Sequence, residues 1–385
     1  MKDRKFKEDK PVLAICYDFD KTLSPDDMQA QGFIQSVGYE IADFWEESNK
    51  LAEENSMDQN LAYMYKMIDS ARGRVVFTKQ KLKECGEKVQ LFPGVDNWFK
   101  RIRDYGESHG VIVEHYIISC GLREMIKGTS VADEFEEIYA SSFYYDDKDV
   151  ALWPAQVVNY TNKTQYLFRI EKGVLDINDS GVNDYFAPED IRVPFRNMVY
   201  IGDSDTDVPC MKLVNNYGGH SIGVYNSKTG DKSKVFKMMR ENRIRYFAPA
   251  DYSDGSEIDK LVKSIIIRTA ANEVLESYHY ENKRENIEAD KQSNEDELKK
   301  MDLIINLENS RSFARTHEII EKLKKYKNWS DDEKELLFRT GANNNQVYYI
   351  LKDADVCLFY RGLLGRNRKL SADALKVKEA LDSEG

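Results

Sequence analysis

The chain has 385 residues, 41% of them hydrophobic, which is enough for one large domain with its own core and a second, smaller one. Its formal net charge of −11 excludes a global electrostatic surface for nucleic acid or anionic membranes, although a local basic patch is compatible with it. A globular protein that does not depend on polyanion binding is therefore expected.

The N-terminus and the cysteines predict a cytoplasmic protein. The apolar stretch that follows the charged first residues is too short for a signal peptide and runs directly into aspartates. Nowhere does the chain approach the roughly 18 apolar residues of a membrane helix. The five cysteines form no CxxC pair or metal-type cluster, and several lie in apolar runs, so we expect buried thiols in a reducing compartment.

Apolar strand patterns alternate with helical patterns along the first 240 residues. Continuous apolar runs are typical of buried parallel strands. The predicted strands lie at residues 12–19, 111–119, 137–143, 198–202 and 221–225, and the predicted helices at 97–105, 164–170, 208–214 and 234–240. This alternation predicts an α/β fold with a doubly wound parallel sheet, in which ligands bind beyond the carboxyl ends of the strands.

Two insertions interrupt this alternation. Residues 26–84 contain no strand pattern and predict several amphipathic helices, so a helical module is inserted after the first strand. The Pro93-Gly94 pair marks the return to the sheet domain. Residues 142–158 alternate apolar and polar positions around an Asp-Asp-Lys turn, which predicts a β-hairpin.

The C-terminal third is predicted to be helical. A long helix should run from about residue 256 to 280, and residues 281–300 are so highly charged that they predict a linker or a solvated helix. Apolar periodicity returns in residues 301–385, where Ser330 and Glu333 form a capping-box pattern. We therefore expect a small helical C-terminal module.

The sequence DFDKT places two carboxylates just beyond the first strand. Asp18 can attack phosphorus, and Asp20, two residues further on, can reach the oxygen of the leaving group from the same loop. Thr22 completes this short segment. By itself the pattern fits a solvated acidic turn equally well.

Three later segments also place polar residues at strand or helix ends. Ser119, followed by the flexible backbone of Cys120 and Gly121, can bind a phosphoryl oxygen, although a helix cap explains it as well. Lys163 could pair with a nucleophile and a phosphoryl group, or be an ordinary surface lysine. Carboxylates in the segment GDSDTD, residues 202–207, suit Mg²⁺ or simply cap the next helix.

Together, these four segments resemble the motifs of the haloacid dehalogenase (HAD) superfamily in their order. They are DFDKT at residues 18–22, IIS ending at Ser119, Lys163, and GDSDTD at residues 202–207. The resemblance covers about residues 11–250. Four ordered motifs at strand ends are far more specific than any single one.

The resemblance implies a role for each motif residue. Asp18 would be the nucleophile and a metal ligand, and Asp20 the general acid and base, with its backbone carbonyl on the metal. Lys163 would neutralise the phosphoryl group. Thr22, Ser119, Cys120 and Gly121 would bind the substrate, and Asp203 and Asp207 would complete the Mg²⁺ site.

The resemblance also implies the domain organisation. Residues 1–25 and 91–280 would form the catalytic core, and residues 26–90 a small helical cap, as in phosphoserine phosphatase-like members. Residues 281–300 would link the core to the C-terminal module, residues 301–385. The sequence departs from the family where Lys21 occupies a position that is often glycine, and where about 40 residues separate Lys163 from Asp203.

The first functional hypothesis is a phosphatase that hydrolyses a small phosphorylated metabolite, because a helical cap of this size encloses its site. Asp20 favours phosphoryl chemistry over carbon–halogen chemistry, since an oxygen leaving group benefits from acid assistance. A second hypothesis is a regulatory protein in which residues 301–385 bind a partner or self-associate. A third is a phosphatase of nucleic-acid ends, which the acidic balance disfavours. No membrane association is expected.

Overall fold

The computed structural model describes residues 7–289, 295–364 and 370–383. The chain divides into two units. Unit 1 consists of Met1–Asp184 and Asp190–Val274, and unit 2 of Tyr185–Glu189 and Leu275–Gly385. The domain boundaries that we drew from the sequence stay predictions.

The centre of unit 1 is a seven-stranded sheet with the strand order β4-β3-β2-β1-β5-β6-β7. Its strands are β1 (Val12–Tyr17), β2 (Ile112–Leu122), β3 (Glu137–Tyr145), β4 (Ala151–Gln156), β5 (Met198–Gly202), β6 (His220–Tyr225) and β7 (Tyr246–Pro249). Neighbouring strands are parallel except for the antiparallel pair of β3 and β4. The predicted α/β fold and the predicted hairpin are confirmed.

Both faces of this sheet are covered, as the continuous apolar run of β1 predicts. All six residues of β1 are buried. Because side chains alternate across a strand, Leu13, Ile15 and Tyr17 join one core and the other three residues join the opposite core. The strand is therefore held in register by apolar packing on both sides.

The helices of unit 1 lie on the two faces of the sheet. The first core contains residues from α5 (Val95–Ser108), α6 (Arg123–Ile126) and α10 (Glu257–Ala289), and the second contains residues from α7 (Thr164–Lys172), α8 (Val208–Asn216) and α9 (Ser233–Arg240). Gly94 begins α5 with φ of +79°, and a Cβ there would lie 2.2 Å from the Ser253 backbone nitrogen. A glycine is thus required at the turn that the sequence marked.

The segment between β1 and α5 is helical, as predicted. It contains α1 (Phe33–Ser36), α2 (Ile41–Asn55), α3 (Gln59–Ala71) and α4 (Lys79–Gly86). Side chains from all four helices, such as Phe33, Phe44, Met64 and Leu82, belong to the first core of the sheet. We call residues 26–90 the cap.

The structure differs from the sequence prediction at two places in the sheet. β7 was not predicted, because a strand of four residues that ends in Pro249 gives little pattern. β2 continues past Ser119 to Leu122, with a shift of register between these two residues. The extra residues carry the backbone of Cys120 and Gly121 to the edge where β1 ends.

Unit 2 is helical in its described residues. Besides the C-terminal part of α10, it contains α11 (Glu295–Glu308), α12 (Phe313–Leu323), α13 (Asp331–Asn343), α14 (Asn345–Tyr349), α15 (Ala354–Leu364) and α16 (Ala372–Asp382). The predicted capping box of Ser330 and Glu333 begins α13. Of the charged stretch at 281–300, the first part continues α10, while residues 290–294 lie outside the described residues.

Although α10 extends over 33 residues, neither it nor any other described helix has an apolar stretch long enough to cross a bilayer.

Removal of the C-terminal helices should leave unit 1 folded. The buried apolar residues of α11–α16 form a cluster of their own, separate from the two clusters on the sheet. A chain of residues 1–288 should therefore keep an α/β circular dichroism spectrum and unfold in one cooperative transition. A full-length sample in the same buffer is the control. Loss of the transition, or insolubility on expression, would show that unit 1 needs the removed helices.

Candidate active site

Asp18 is the first residue after β1, and the backbone still follows the sheet there. Its N–H donates to the Ile201 carbonyl of β5 at 3.0 Å, and its Oδ1 accepts a hydrogen bond from the Phe19 N–H at 2.8 Å. The side chain is 6% exposed. Asp18 therefore presents a fixed carboxylate at the carboxyl edge of the central strand.

Asp20 lies in the turn that follows. Its Oδ1 accepts a hydrogen bond from the Met28 N–H at 2.8 Å, so the first residues of the cap hold this carboxylate. Lys21 has φ of +58°, in the left-handed region that favours glycine. This conformation gives a physical reason for the frequent glycine at that position. Thr22 is fully buried, and its Oγ1 has no hydrogen-bond partner among the described residues.

Ser119, Cys120 and Gly121 lie where β2 changes register. The Gly121 N–H donates to Ser119 Oγ at 3.1 Å, so the hydroxyl oxygen accepts a hydrogen bond from the backbone two residues further on. A Cβ on Gly121 would lie 2.5 Å from Met28 Cε and 3.0 Å from Asp20 Oδ2. A larger residue here would displace the Met28 side chain and crowd the Asp20 carboxylate.

Lys163 is the residue that immediately precedes α7, and it is fully buried. Its Nζ lies 2.7 Å from Asp207 Oδ1 and 3.4 Å from Asp18 Oδ2. The interpretation as a surface lysine is therefore wrong. A buried ammonium between two carboxylates is instead a structural ion pair, an electrostatic device of an active site, or both.

The three aspartates of the acidic segment after β5 point in two directions. Asp207 is fully buried and accepts hydrogen bonds from Lys163 and, at 2.9 Å, from the Tyr200 hydroxyl. Asp203 is 8% exposed. Asp205 points away, with its carboxylate 3.6 Å from Lys237 and from Arg243. Only Asp203 and Asp207 therefore join Asp18.

Asp18, Asp203 and Asp207 form a cluster that could hold a metal ion. One carboxylate oxygen of each lies within 4.8 Å of the other two. Burial raises the pKa of Asp203 to about 8, with repulsion from Asp207 and Asp18 adding to the shift. Burial likewise raises the pKa of Asp18 to about 6, although Lys163 opposes it. This excess of negative charge fits a divalent cation with oxygen ligands.

The same edge opens into a cavity of about 530 Å³. Asp18, Asp20, Ser119, Cys120 and Asp203 line its floor. Burial raises the pKa of the Cys120 thiol to about 12, so this thiol is protonated at neutral pH. The predicted residues Thr22, Gly121, Lys163 and Asp207 do not line the cavity but lie next to the residues that do.

Sequence reasoning missed several residues of the site. The cap contributes Met57, Asp58, Gln59 and Asn60 to the cavity wall, and the loop before Lys163 contributes Asn159 and Tyr160. Tyr200, which holds Asp207, sits in an apolar strand where a tyrosine gives no functional signal. The polar run at residues 58–60 before a helical pattern is a signal that could have drawn attention to the cap.

Fold and site together define a doubly wound α/β enzyme with a capped carboxylate site. The family model of haloacid dehalogenase-like hydrolases matches residues 15–212, more than half of the chain. The chain therefore belongs to the HAD hydrolases, as the four motifs predicted.

Individual relatives are distant. An uncharacterized protein of Borreliella burgdorferi strain B31 is 25% identical over 276 residues, which cover 65% of this chain and 95% of the relative. A HAD family hydrolase of Salmonella enterica serovar Typhi is 17% identical, with a TM-score of 0.45 over 67% of this chain and 73% of the other. A phospho-aspartyl intermediate analogue of phosphoserine phosphatase is 14% identical, with a TM-score of 0.40, and the match covers 66% of this chain and 99% of the other. No functional conclusion follows from these likenesses.

Lys163→Met should destabilise the metal-free protein at neutral pH. It would leave Asp18 and Asp207 buried beside each other without their cation, and removal of one partner from a buried pair costs about 3 to 5 kcal/mol. Urea unfolding in the presence of a chelator measures the change in the free energy of unfolding. The control is Lys100→Met, whose exposed ion pair with Asp104 should change stability by less than about 0.5 kcal/mol. Equal stability of the two variants would show that Lys163 is not needed to compensate the carboxylates.

Proposed function

We propose that this HAD hydrolase is a Mg²⁺-dependent phosphatase that hydrolyses a small phosphate monoester through an aspartyl-phosphate on Asp18. The observation that carries the proposal is the arrangement around Asp18. The Asp18 carboxylate lines the capped cavity. Around it lie the buried ammonium group of Lys163, the carboxylates of Asp203 and Asp207, and the carboxyl group of Asp20, whose pKa is raised. These are the parts that phosphoryl transfer to a carboxylate needs.

Asp18 is suited to be the nucleophile. The hydrogen bond from the Phe19 N–H fixes its carboxylate, and Lys163 favours its ionised form. In the first step, a bond forms between a carboxylate oxygen and phosphorus while the bond from phosphorus to the leaving-group oxygen breaks. Positioning of the two reacting atoms supplies a large part of such a rate acceleration.

Asp20 is suited to act as general acid and then as general base. Burial, and after it the charges of Asp27 and Asp18, raise the pKa of Asp20 well above its ordinary value. Asp20 can therefore hold a proton and give it to the leaving oxygen. In the second step it takes a proton from the attacking water. The water oxygen forms a bond to phosphorus while the bond from Asp18 to phosphorus breaks, and inorganic phosphate leaves.

Lys163, Ser119 and the backbone at Cys120 and Gly121 would bind the phosphoryl group. Burial alone would lower the pKa of Lys163, but Asp18 and Asp207 outweigh it and raise this pKa well above its ordinary value, which favours the charged ammonium. Ser119 accepts from the Gly121 N–H and donates its own proton to the Asp18 carboxylate, from which it can turn to a phosphoryl oxygen. Such preorganised groups stabilise the charge that develops at the equatorial oxygens. We expect Thr22 to support this loop from behind the cavity wall.

The side chains of Asp18, Asp203 and Asp207, with the backbone carbonyl of Asp20, would hold Mg²⁺. When bound, the ion would neutralise the carboxylates and draw electron density from the phosphoryl oxygens. The capped cavity favours a small phosphorylated metabolite over a nucleic-acid end. Partner binding or self-association through residues 301–385 and the cytoplasmic location stay predictions.

Amide variants of the two aspartates should fail differently. Asp18→Asn removes the nucleophile, so no phosphoenzyme forms with any substrate. Asp20→Asn keeps the nucleophile but loses the proton donor and acceptor, a loss on the order of 10²- to 10⁴-fold in the assisted step. With p-nitrophenyl phosphate, whose leaving group needs little protonation, Asp20→Asn should give a burst of about one equivalent and a slow steady state.

An alkyl phosphate is the matched substrate for this comparison, because its leaving group does need a proton. Asp20→Asn should then lose the burst as well, and rapid-quench measurements with both substrates report the difference. An equal, burst-free loss in both variants on both substrates, in folded proteins that still bind metal, would contradict the assigned roles.

Removal of divalent cations should abolish turnover. Without a cation, Asp18, Asp203 and Asp207 repel one another and the phosphate dianion, and the loss should be at least about 100-fold. Assays after exhaustive chelation, and again after addition of Mg²⁺, test this expectation. Full activity in the chelated enzyme, with metal content verified by elemental analysis, would rule out the proposed cofactor.

A further inference from the structure

Cap and core are tied together by side chains at the edge of the cavity. Asn159 Nδ2 donates to Asp58 Oδ2 at 2.7 Å, and Asn60 Nδ2 donates to the Val158 carbonyl at 2.8 Å. Asp58 and Asn60 belong to the first turn of α3 in the cap, and Asn159 belongs to the loop that ends at Lys163. The two sides of this contact are about 100 residues apart in the sequence, so it forms only when the cap is in place.

On the cap side, Asp58 is fixed by a second set of bonds. Its Oδ1 accepts from the N–H groups of Asn60 and Leu61, at 2.9 and 3.0 Å, and so caps α3. The carboxylate therefore cannot turn towards Asn159 independently of the helix. A movement of α3 is transmitted to whatever Asp58 Oδ2 holds.

On the core side, Asn159 organises the loop that presents Lys163. Its Oδ1 accepts from the N–H groups of Thr161 and Asn162, at 2.9 and 3.2 Å. Its N–H donates to Asn162 Oδ1 at 2.8 Å, and its carbonyl accepts from the Lys163 N–H at 3.1 Å. The conformation of Asn159 thus sets the backbone position of the lysine whose Nζ contacts Asp18 and Asp207.

The same cap helix holds the other phosphoryl-binding segment. The Tyr63 hydroxyl, one turn after Asn60 on α3, donates to the Cys120 carbonyl at 2.7 Å, directly after Ser119. α3 is therefore bonded to the backbone on both sides of the cavity floor. Asp58, Asn60, Asn159 and Cys120 all line the cavity, so a substrate that enters passes these bonds.

We propose that Asp58 and Asn159 form a latch through which closure of the cap positions Lys163 for phosphoryl transfer. The latch rests on the phosphatase function proposed above. In it, Asp58 and Asn159 are positioning residues that act through Lys163. An open cap leaves the loop without its anchor and Lys163 displaced from Asp18. The cap also packs on the apolar core of the sheet, but these hydrogen bonds are individually of modest strength, so a small displacement of α3 is enough to break them and to admit substrate.

Exchange of the two side chains tests the latch. Asn159→Asp places two carboxylates against each other, and kcat for an alkyl phosphate should fall about 10-fold or more while KM changes little, because the phosphoryl transfer step loses Lys163. The double variant Asp58→Asn/Asn159→Asp restores a donor and an acceptor in reversed positions. It should recover kcat to within about 3-fold of the original enzyme, which corresponds to a small residual free-energy difference.

Asp58→Asn alone sets two amide donors against each other and should show a smaller loss. Asp69→Asn is the matched control on the same helix, because its carboxylate is exposed and, among the described residues, forms an ion pair with Arg72 alone. It should leave kcat and KM unchanged. A double variant as slow as Asn159→Asp, or an Asn159→Asp variant with the original kcat, overturns the latch.

Hydrogen exchange of the peptides covering residues 57–63 and 157–163 gives a readout that needs no turnover. Both segments should exchange faster in Asn159→Asp and return to the original rate in the double variant. If the unmodified enzyme hydrolyses no phosphate ester but this exchange pattern holds, the proposed function fails while the latch stands. Unchanged exchange in Asn159→Asp overturns the latch whatever the activity.

Discussion

Excess negative charge at one edge of the sheet is the constraint on which the rest of the site depends. Asp18, Asp203 and Asp207 meet there because β1 lies between β2 and β5, so that segments distant in the sequence end side by side. Lys163 contributes one buried positive charge, but burial still raises the pKa of Asp18 to about 6 and that of Asp203 to about 8. A divalent cation bound to these carboxylates would offset this charge, as the proposed function requires.

Neighbouring residues hold two of the carboxylate side chains in fixed orientations. Tyr200 donates to Asp207 from within β5, and a Cβ on Gly202 would lie 2.4 Å from Asp207 Oδ2. The Met28 N–H holds Asp20 from the start of the cap. Neutral donors thus set the direction of Asp207 and Asp20. The cap therefore fixes one carboxylate of the cavity besides lining it.

Much of this arrangement could be predicted from the sequence, because local patterns carry it. Continuous apolar runs located β1, β2, β3 and β5, and the family motifs indicated which residues at their ends come together. Patterns of this kind do not reveal burial or long-range pairing. Lys163 at a helix start is usually a surface lysine, and Tyr200 in an apolar strand is usually core. The contact between Asp58 and Asn159 joins two ordinary polar residues that only the folded chain brings together.

In the long connection from Lys163 to Asp203, helix α7 follows Lys163 directly, and its last turn binds the loop that comes after it. Arg169, in the last turn of α7, donates to the carbonyls of the loop that follows, at Val174, Asp176, Ile177 and Asp179. Lys172 donates to the carbonyls of Val182 and Asp184. These carbonyls are outside any sheet and would otherwise depend on water, and cations at a helix C-terminus are also favoured by the helix dipole. The first part of this connection, up to Asp184, is therefore held by α7 itself, at the end of the helix opposite to Lys163.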